Sequence, residues 1–191
     1  MLDHKKRCAW LTQNPLMIKY HDDEWGVPLY DDKKLFEFLL LDCFQAGLSW
    51  EIVLNKRANF KEAFSNFDYK KIAKYTNKDT KRLLADAGII RNRLKIAATI
   101  INAQMFIQVQ KEFGSFSEYI WQFVNNKPKI NKFKKLSDIP ATSLESDALS
   151  KDLKKRGFKF VGSTTIYAFM QAAGLVNDHT IDCYRYKTLN K

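Results

Sequence analysis

Two pairs of metal-type ligands lie at opposite ends of the chain, Cys8 with His21 and His179 with Cys183. Thiolate sulfur and imidazole nitrogen are preferred zinc donors, and two of each would fill a tetrahedral shell with no position left for water. Such a site would be structural, joining the N- and C-terminal segments. His179 and Cys183 stand four positions apart, which places both on one face if the stretch is helical. Asn177 and Asp178 are suitable caps for that turn. Chain ends fray unless tied down, and a clip closing so long a loop removes unfolded-state entropy. Neither half is a Cys-x-x-Cys, so spacing alone equally admits two buried thiols and two surface histidines.

A second constellation surrounds Asp86-Ala-Gly-Ile-Ile-Arg-Asn-Arg93. Two helices joined there by a tight turn would form a helix–hairpin–helix element near residues 79–103. Backbone N–H groups at the start of its second helix could hold a DNA phosphate. Gly88, Arg91 and Arg93 are the backbone-contact candidates, with Lys95 adding charge. An ordinary helical corner with a solvated basic edge is the competing reading. The run Lys151-Asp-Leu-Lys-Lys-Arg-Gly157 could touch phosphate too, although such runs are usually solvated faces.

The third constellation is aromatic. Trp10, Tyr20, Trp25 and Trp50 fall in the first 50 residues, with Asp42 and Gln45 close by. Aromatic faces can stack an extruded base, and a cationic base gains further from the ring quadrupole. A carboxylate can accept from an exocyclic amine. Such tryptophans more often belong to a core.

Helices must position all of these groups. Helical periodicity predicts a helix over 32–44, with Leu35, Phe36, Leu39 and Leu40 on one face. Gly47 punctuates it, and Ser49 is the N-cap of a second helix carrying Ile52, Val53 and Leu54. Asn77 caps a third, with Leu83, Leu84 and Ala87, ending at Gly88. Leu94, Ala98, Ile101 and Met105 repeat at helical spacing in a fourth, and residues 163–173 form a fifth. The only strand candidate is 157–162, whose glycines suit a helix connection equally well, and 127–136 reads as a loop. The fold class expected is all-α.

The chain has 191 residues, 46% of them hydrophobic, with 7 Gly and 4 Pro. That is enough apolar side chain for a core, and the length suits one unit or two closely packed lobes. The apolar run Leu39-Leu40-Leu41 is broken by Asp42, and no run approaches the ~20 residues of a membrane span. No apolar signal core follows the charged start, so a cytoplasmic protein is expected. A net charge of +11 favours a polyanionic partner, nucleic acid being the commonest. Three cysteines in a reducing compartment argue against a disulfide framework.

Read together, several strings resemble the 3-methyladenine DNA glycosylase I family. They are Arg7-Cys-Ala-Trp10, Tyr20-His-Asp-Asp-Glu-Trp-Gly-Val-Pro28, Gln45-Ala-Gly-Leu-Ser-Trp50, Asp86-Ala-Gly-Ile-Ile-Arg91, Leu153-Lys-Lys-Arg-Gly-Phe-Lys-Phe-Val-Gly162 and Gly174-Leu-Val-Asn-Asp-His179. The resemblance implies an all-α helix–hairpin–helix glycosylase fold over 1–191, in two helical lobes. It also implies a structural zinc held by Cys8, His21, His179 and Cys183. The implied activity is flipping and hydrolytic excision of 3-methyladenine from alkylated double-stranded DNA, by a monomer. Asp42, Trp50 and Tyr20 would be catalytic, while Trp10, Met17, Trp25, Gln45 and Leu48 would bind the substrate. The Gly47-Leu48 turn would be the wedge that fills the gap left by the flipped nucleotide. Whether Glu24 also holds the base stays open.

Two departures bear on activity. Asp42 stands where the family typically has Glu, withdrawing the carboxylate by roughly 1 Å, enough to weaken a positioned contact. Met17 stands where a pocket Tyr is common, keeping polarizable bulk without a hydroxyl. A non-catalytic DNA-binding descendant is therefore the rival reading. Related glycosylases often use an Asp beyond the hairpin, yet 96–110 contains no acid. A cationic N3-alkylated adenine leaves as a neutral base, which makes that absence intelligible.

Overall fold

The structure is a computed structural model that describes residues 5–190; the ends of the 1–191 unit lie outside them. Its helices are α1 (Pro15–Asp23), α2 (Asp32–Gln45), α3 (Trp50–Asn55), α4 (Arg57–Ala63), α5 (Tyr69–Ile72) and α6 (Asn77–Ala85). They continue as α7 (Arg93–Phe113), α8 (Phe116–Trp121), α9 (Leu144–Lys155), α10 (Ser163–Ala172) and α11 (Tyr184–Leu189). The expected helical class holds. Two-residue strands β1 (Lys129–Ile130) and β2 (Val176–Asn177) pair in parallel, with Lys129 opposite Val176 and Ile130 opposite Asn177. Residues 157–162, the only strand candidate in the sequence, form the connection between α9 and α10 instead. Among the described residues no helix is long and apolar enough to cross a membrane.

The central element is α2. Leu35, Phe36 and every residue from Phe38 to Phe44 are buried, where the periodicity predicted a single apolar face. A helix covered on all sides reads as hydrophobic all round, and α2 packs against α3, α7, α8 and α10. Its N-terminus is capped by Asp31, which accepts from Lys34 N at 2.8 Å. Asp32, one residue on, accepts from the backbone N–H groups of Phe116 and Ser117, both at 2.9 Å. One acidic pair thus starts α2 and caps α8, satisfying donors that a helix N-terminus leaves free.

The other starts follow the same chemistry. Ser49 caps α3 through Ile52 N, as its position in the sequence predicts. Thr76, not Asn77, caps α6 in a capping box with Asp79, and α6 ends at Ala85 rather than Gly88. Asn92 caps α7 through Leu94 N and Lys95 N. The buried face of α7 is Ile96, Ala98, Thr99, Asn102, Ala103, Phe106 and Val109. Leu94, placed on the apolar stripe by periodicity, is 69% exposed, because the covered face of the first turn of α7 is the one that carries Lys95 and Ile96, which are 6% and 0% exposed.

Candidate active site

A cavity of about 450 Å³ opens between the C-terminal part of α2, the start of α3, α10 and the segment 136–141. That size is within the range of small-molecule pockets. Trp10, Met17, Tyr20, Trp25, Asp42, Gln45 and Trp50 all line it. Tyr20 and Trp50 lie 4.9 Å apart between ring centroids, and Trp10 and Trp25 5.0 Å. Met17 and Tyr20 are buried, while Trp50 is half-buried and lines the opening.

Three polar atoms of this wall are buried without a hydrogen-bond partner: Asp42 Oδ2, Trp10 Nε1 and Trp50 Nε1. Buried polar groups are nearly always satisfied, so an acceptor and two indole donors left free in one cavity mark a site built for a polar ligand. Burial pushes the Asp42 carboxyl well above the usual carboxylate range. It likewise raises the Tyr20 phenol, helped by Asp42, so Tyr20 stays neutral. The second acid of the lining, Glu51, already accepts from Thr12 Oγ1 and Asn14 Nδ2. Asp42 is therefore the acceptor available to a ligand.

Beyond Gln45 the chain reverses. Leu48 N donates to Gln45 O at 2.7 Å, and Gly47 holds φ +79° with open space where a Cβ would stand. Glycine is needed there for the backbone angle. Leu48 is left 37% exposed at the tip. Lys95 secures this turn by donating from Nζ to Phe44 O at 2.8 Å and Ala46 O at 2.6 Å. It satisfies the last carbonyls of α2 and is buried. The expectation that Lys95 adds charge for DNA is thereby corrected.

Behind the cavity, Cys8, His21 and Cys183 bring their ligand atoms within 4.8 Å of one another. His21 and His179 are fully buried, which excludes the surface-histidine alternative. His21 Nδ1 faces Asp22 Oδ1 at 2.8 Å; a proton on Nδ1 makes Nε2 the acceptor, 3.5 Å from both Cys183 Sγ and the backbone N–H of Cys8. His179 Nδ1 lies 3.0 Å from Asn177 Oδ1, and its Nε2 is buried without a partner. The contact between the two thiols lowers Cys183, helped by His21 and opposed by burial, and raises Cys8, so the pair holds one thiolate more readily than two. The His179–Cys183 stretch is a turn and not the helix considered from spacing, since Cys183 only begins α11. Trp25 packs on His179 at 4.5 Å and Trp10 on His21 at 5.5 Å. Cluster and cavity therefore share a wall.

The segment 86–92 joins α6 to α7 at the surface. Gly88 N donates to Asp86 Oδ1 at 2.8 Å, and Gly88 O accepts from Lys56 Nζ and Asn59 Nδ2. A Cβ on Gly88 would stand 2.9 Å from Asp86 Oδ1 and 3.2 Å from Asn59 Cβ. Arg91 and Arg93 are exposed, and neither forms an ion pair among the described residues.

The methyladenine glycosylase family model matches residues 10–186. The chain belongs to the methyladenine glycosylase family. It is 52% identical to DNA-3-methyladenine glycosylase 1 of Escherichia coli (strain K12) over 95% of this chain and 97% of that one. It is 49% identical to DNA-3-methyladenine glycosylase of Haemophilus influenzae, over 93% and 96%. Among solved structures, 3-methyladenine DNA glycosylase I from Staphylococcus aureus, described for its 3-methyladenine recognition, superposes with a TM-score of 0.90. The identity there is 41%, covering 93% of this chain and 95% of that one.

Within this member of the glycosylase family, several groups stand where sequence reasoning did not put them. Thr164, Tyr167, Ala168 and Gln171 of α10, with Leu136, Ile139, Pro140 and Ala141, complete the cavity. Their polar members repeat along one face of α10, a signal masked by the apolar stripe beside them. Asp178 turns inward rather than capping: it accepts from Tyr167 Oη (2.6 Å), Gln171 Nε2 (2.8 Å) and Asn131 Nδ2 (2.7 Å). It thus holds two cavity-lining side chains in place. Glu24 does not face the base cavity. It pairs bidentately with Arg57 and lines a separate charged concavity of about 650 Å³. Arg156 of the basic run is taken up by Glu112 and Asp152. Cys43 is buried, its thiol pushed up by burial, as expected of packing and not of a nucleophile.

Proposed function

We propose that this chain is a DNA-3-methyladenine glycosylase that rotates the alkylated base out of duplex DNA and hydrolyses its glycosidic bond. The observation that carries the reading is the unpartnered Asp42 carboxyl inside an aromatic cavity, backed by relatives named for this activity. The non-catalytic alternative has no structural support, since cavity, aromatic walls and acceptor are all retained.

A buried carboxyl with no counter-charge stays protonated; a cationic purine entering the cavity supplies that counter-charge and lets it ionise. Trp50 stacks on the base, with Trp10, Met17, Tyr20 and Trp25 shaping the pocket and Gln45 at its rim. Attraction of the cation to an indole face contributes about 0.5–2 kcal/mol. Leu48 enters the duplex, while the 86–92 turn acts as a helix–hairpin–helix phosphate clamp with Gly88, Arg91 and Arg93. Because the leaving base departs neutral, the chain supplies extrusion, stacking and exclusion of bulk water, and water attacks the sugar. Flipping costs a few kcal/mol, least for a damaged base.

Cys8, His21, His179 and Cys183 would hold one structural zinc. The donor set suits a closed tetrahedral site, and the close approach of Cys8, His21 and Cys183 with the unpartnered His179 Nε2 supports the fit. The metal supplies cross-linking only. One 1–191 unit of two helical lobes, acting as a monomer, completes the reading. Incubation with N-methylated duplex DNA followed by chromatography of released bases tests it; absence of free 3-methyladenine refutes it.

A further inference from the structure

Phe160 is out of place for an apolar side chain. Its backbone lies in the left-handed region at φ +56°, an uncommon conformation for a bulky residue. The ring is 37% exposed, while Phe158 and Val161 on either side are 2% and 1% exposed. The turn displaying it is pinned from three directions by buried groups. Asn102 accepts from Lys159 N at 2.7 Å and donates to Lys159 O at 3.0 Å. Ser150 Oγ donates to Val161 O at 2.6 Å, and Cys43 Sγ reaches Phe160 O at 3.5 Å. Side chains from α2, α7 and α9 thus converge to hold one short turn with its aromatic ring outward. Backbone held in a sparsely populated region by its surroundings is a feature of functional sites.

The position of the turn gives the ring its use. Cys43, touching Phe160 O, follows Asp42 in α2, and the Gly47-Leu48 reversal lies about one helical turn further on. Four residues after Phe160, Thr164 lines the cavity. Phe160 and Leu48 thus sit on different elements, each a few residues from side chains that line the cavity, Thr164 for the one and Gln45 and Ser49 for the other. Lys159, next to it in the turn, and Lys151, Lys154 and Lys155 of the preceding helix α9 are exposed, a charge setting suited to phosphates. An apolar ring carries no hydrogen-bond code, but every base presents a π-face, and apolar wedges partly unstack duplex steps.

We propose that Phe160 is a second duplex-inserting side chain, which stacks on a base next to the extruded nucleotide while Leu48 fills the vacancy. The proposal rests on the glycosylase reading and adds to it a nucleobase contact outside the cavity. Insertion from two elements would prise the step open from both sides, and the fixed turn means the ring needs no reordering before it enters.

The test uses the full chain with Phe160→Ala and Phe160→Trp, and alkylated duplex carrying 2-aminopurine beside or opposite the lesion. Stacking of about 1–3 kcal/mol per base predicts that Phe160→Ala lowers kcat/KM about tenfold and diminishes the 2-aminopurine unstacking signal. Phe160→Trp should restore both. Binding of free 3-methyladenine, followed by tryptophan fluorescence, should stay within twofold in Phe160→Ala, as should the melting temperature within a few degrees. If Phe160→Ala excises and unstacks like the wild type, or if its losses follow a fall in melting temperature that Phe160→Trp shares, the proposal is overturned while the glycosylase reading stands. A wild-type protein releasing no 3-methyladenine would overturn both.

Discussion

The ammonium of Lys95 lies 2.6 Å from the carbonyl oxygen of Ala46, joining the first turn of α7 to the reversal that carries Leu48. The 86–92 turn leads directly into α7, so this contact links the segment proposed to hold phosphate to the aromatic cavity through one side chain. Replacing Lys95 by Met leaves the Phe44 and Ala46 carbonyls without a donor. Hydrogen bonds from a charged group contribute about 1.5–3 kcal/mol each, and with two of them a loss of roughly 3–6 kcal/mol in total stability is expected. Chemical denaturation measures it. Excision by the folded fraction should fall further than DNA binding, because the wedge turn loses its support; equal falls in both would remove that role.

Asp42→Asn separates function from stability. Burial raises the folded Asp42 carboxyl above its unfolded value of about 3.9, so the unfolded chain gives up its proton first. Above that value the unfolded state holds fewer protons, and wild-type stability falls as pH rises towards the folded pKa. Asp42→Asn has no such slope. Its melting temperature should exceed the wild type's by a margin that widens as pH rises above the unfolded value and levels off where the folded carboxyl ionises, while excision drops at least tenfold. A margin that never changes with pH above the unfolded value would mean Asp42 does not titrate as argued.

Excision itself should respond to the same proton. A cationic base in the cavity favours the ionised carboxylate, so lesion binding releases a proton, and affinity for alkylated DNA should rise with pH through the raised pKa of Asp42. Calorimetry in buffers of different ionisation enthalpy counts that proton. Asp42→Asn should release none.

Trp50→Ala should reduce kcat/KM by about ten- to a hundredfold, in line with roughly 1–3 kcal/mol for a base stacked on an aromatic ring. Affinity for undamaged DNA should hardly change, since Trp50 lines the cavity and not the basic surface. Parallel losses on damaged and undamaged DNA would show that Trp50 supports the fold instead.

Elemental analysis of protein purified without added metal should find about one zinc per chain. Cys8→Ala should lose it and melt at lower temperature. Because Trp10 and Trp25 pack against His21 and His179, the cavity should loosen with it, weakening 3-methyladenine binding. Stoichiometric zinc in Cys8→Ala would refute the four-ligand site.

Replacing Arg91 and Arg93 together by Ala should flatten the salt dependence of DNA binding by about two phosphate contacts, each contributing ~0.9 to the logarithmic slope. An unchanged slope would place the phosphate clamp elsewhere.

Local chemistry made much of this protein readable in one dimension. Caps such as Ser49 and the positive-φ glycine before Leu48 are each signalled within a few residues, because hydrogen bonding to the next turn and backbone sterics act at short range. Tertiary structure decided where individual side chains of those helices point. Lys95 reads as a surface cation, yet it turns inward to carbonyls some fifty positions earlier. Asp178 reads as a cap, yet it fastens Tyr167 and Gln171, and Leu94 reads as core, yet it is bare. A helix presents several faces of similar composition, and only packing against segments distant in sequence determines which face is covered and which lines a cavity.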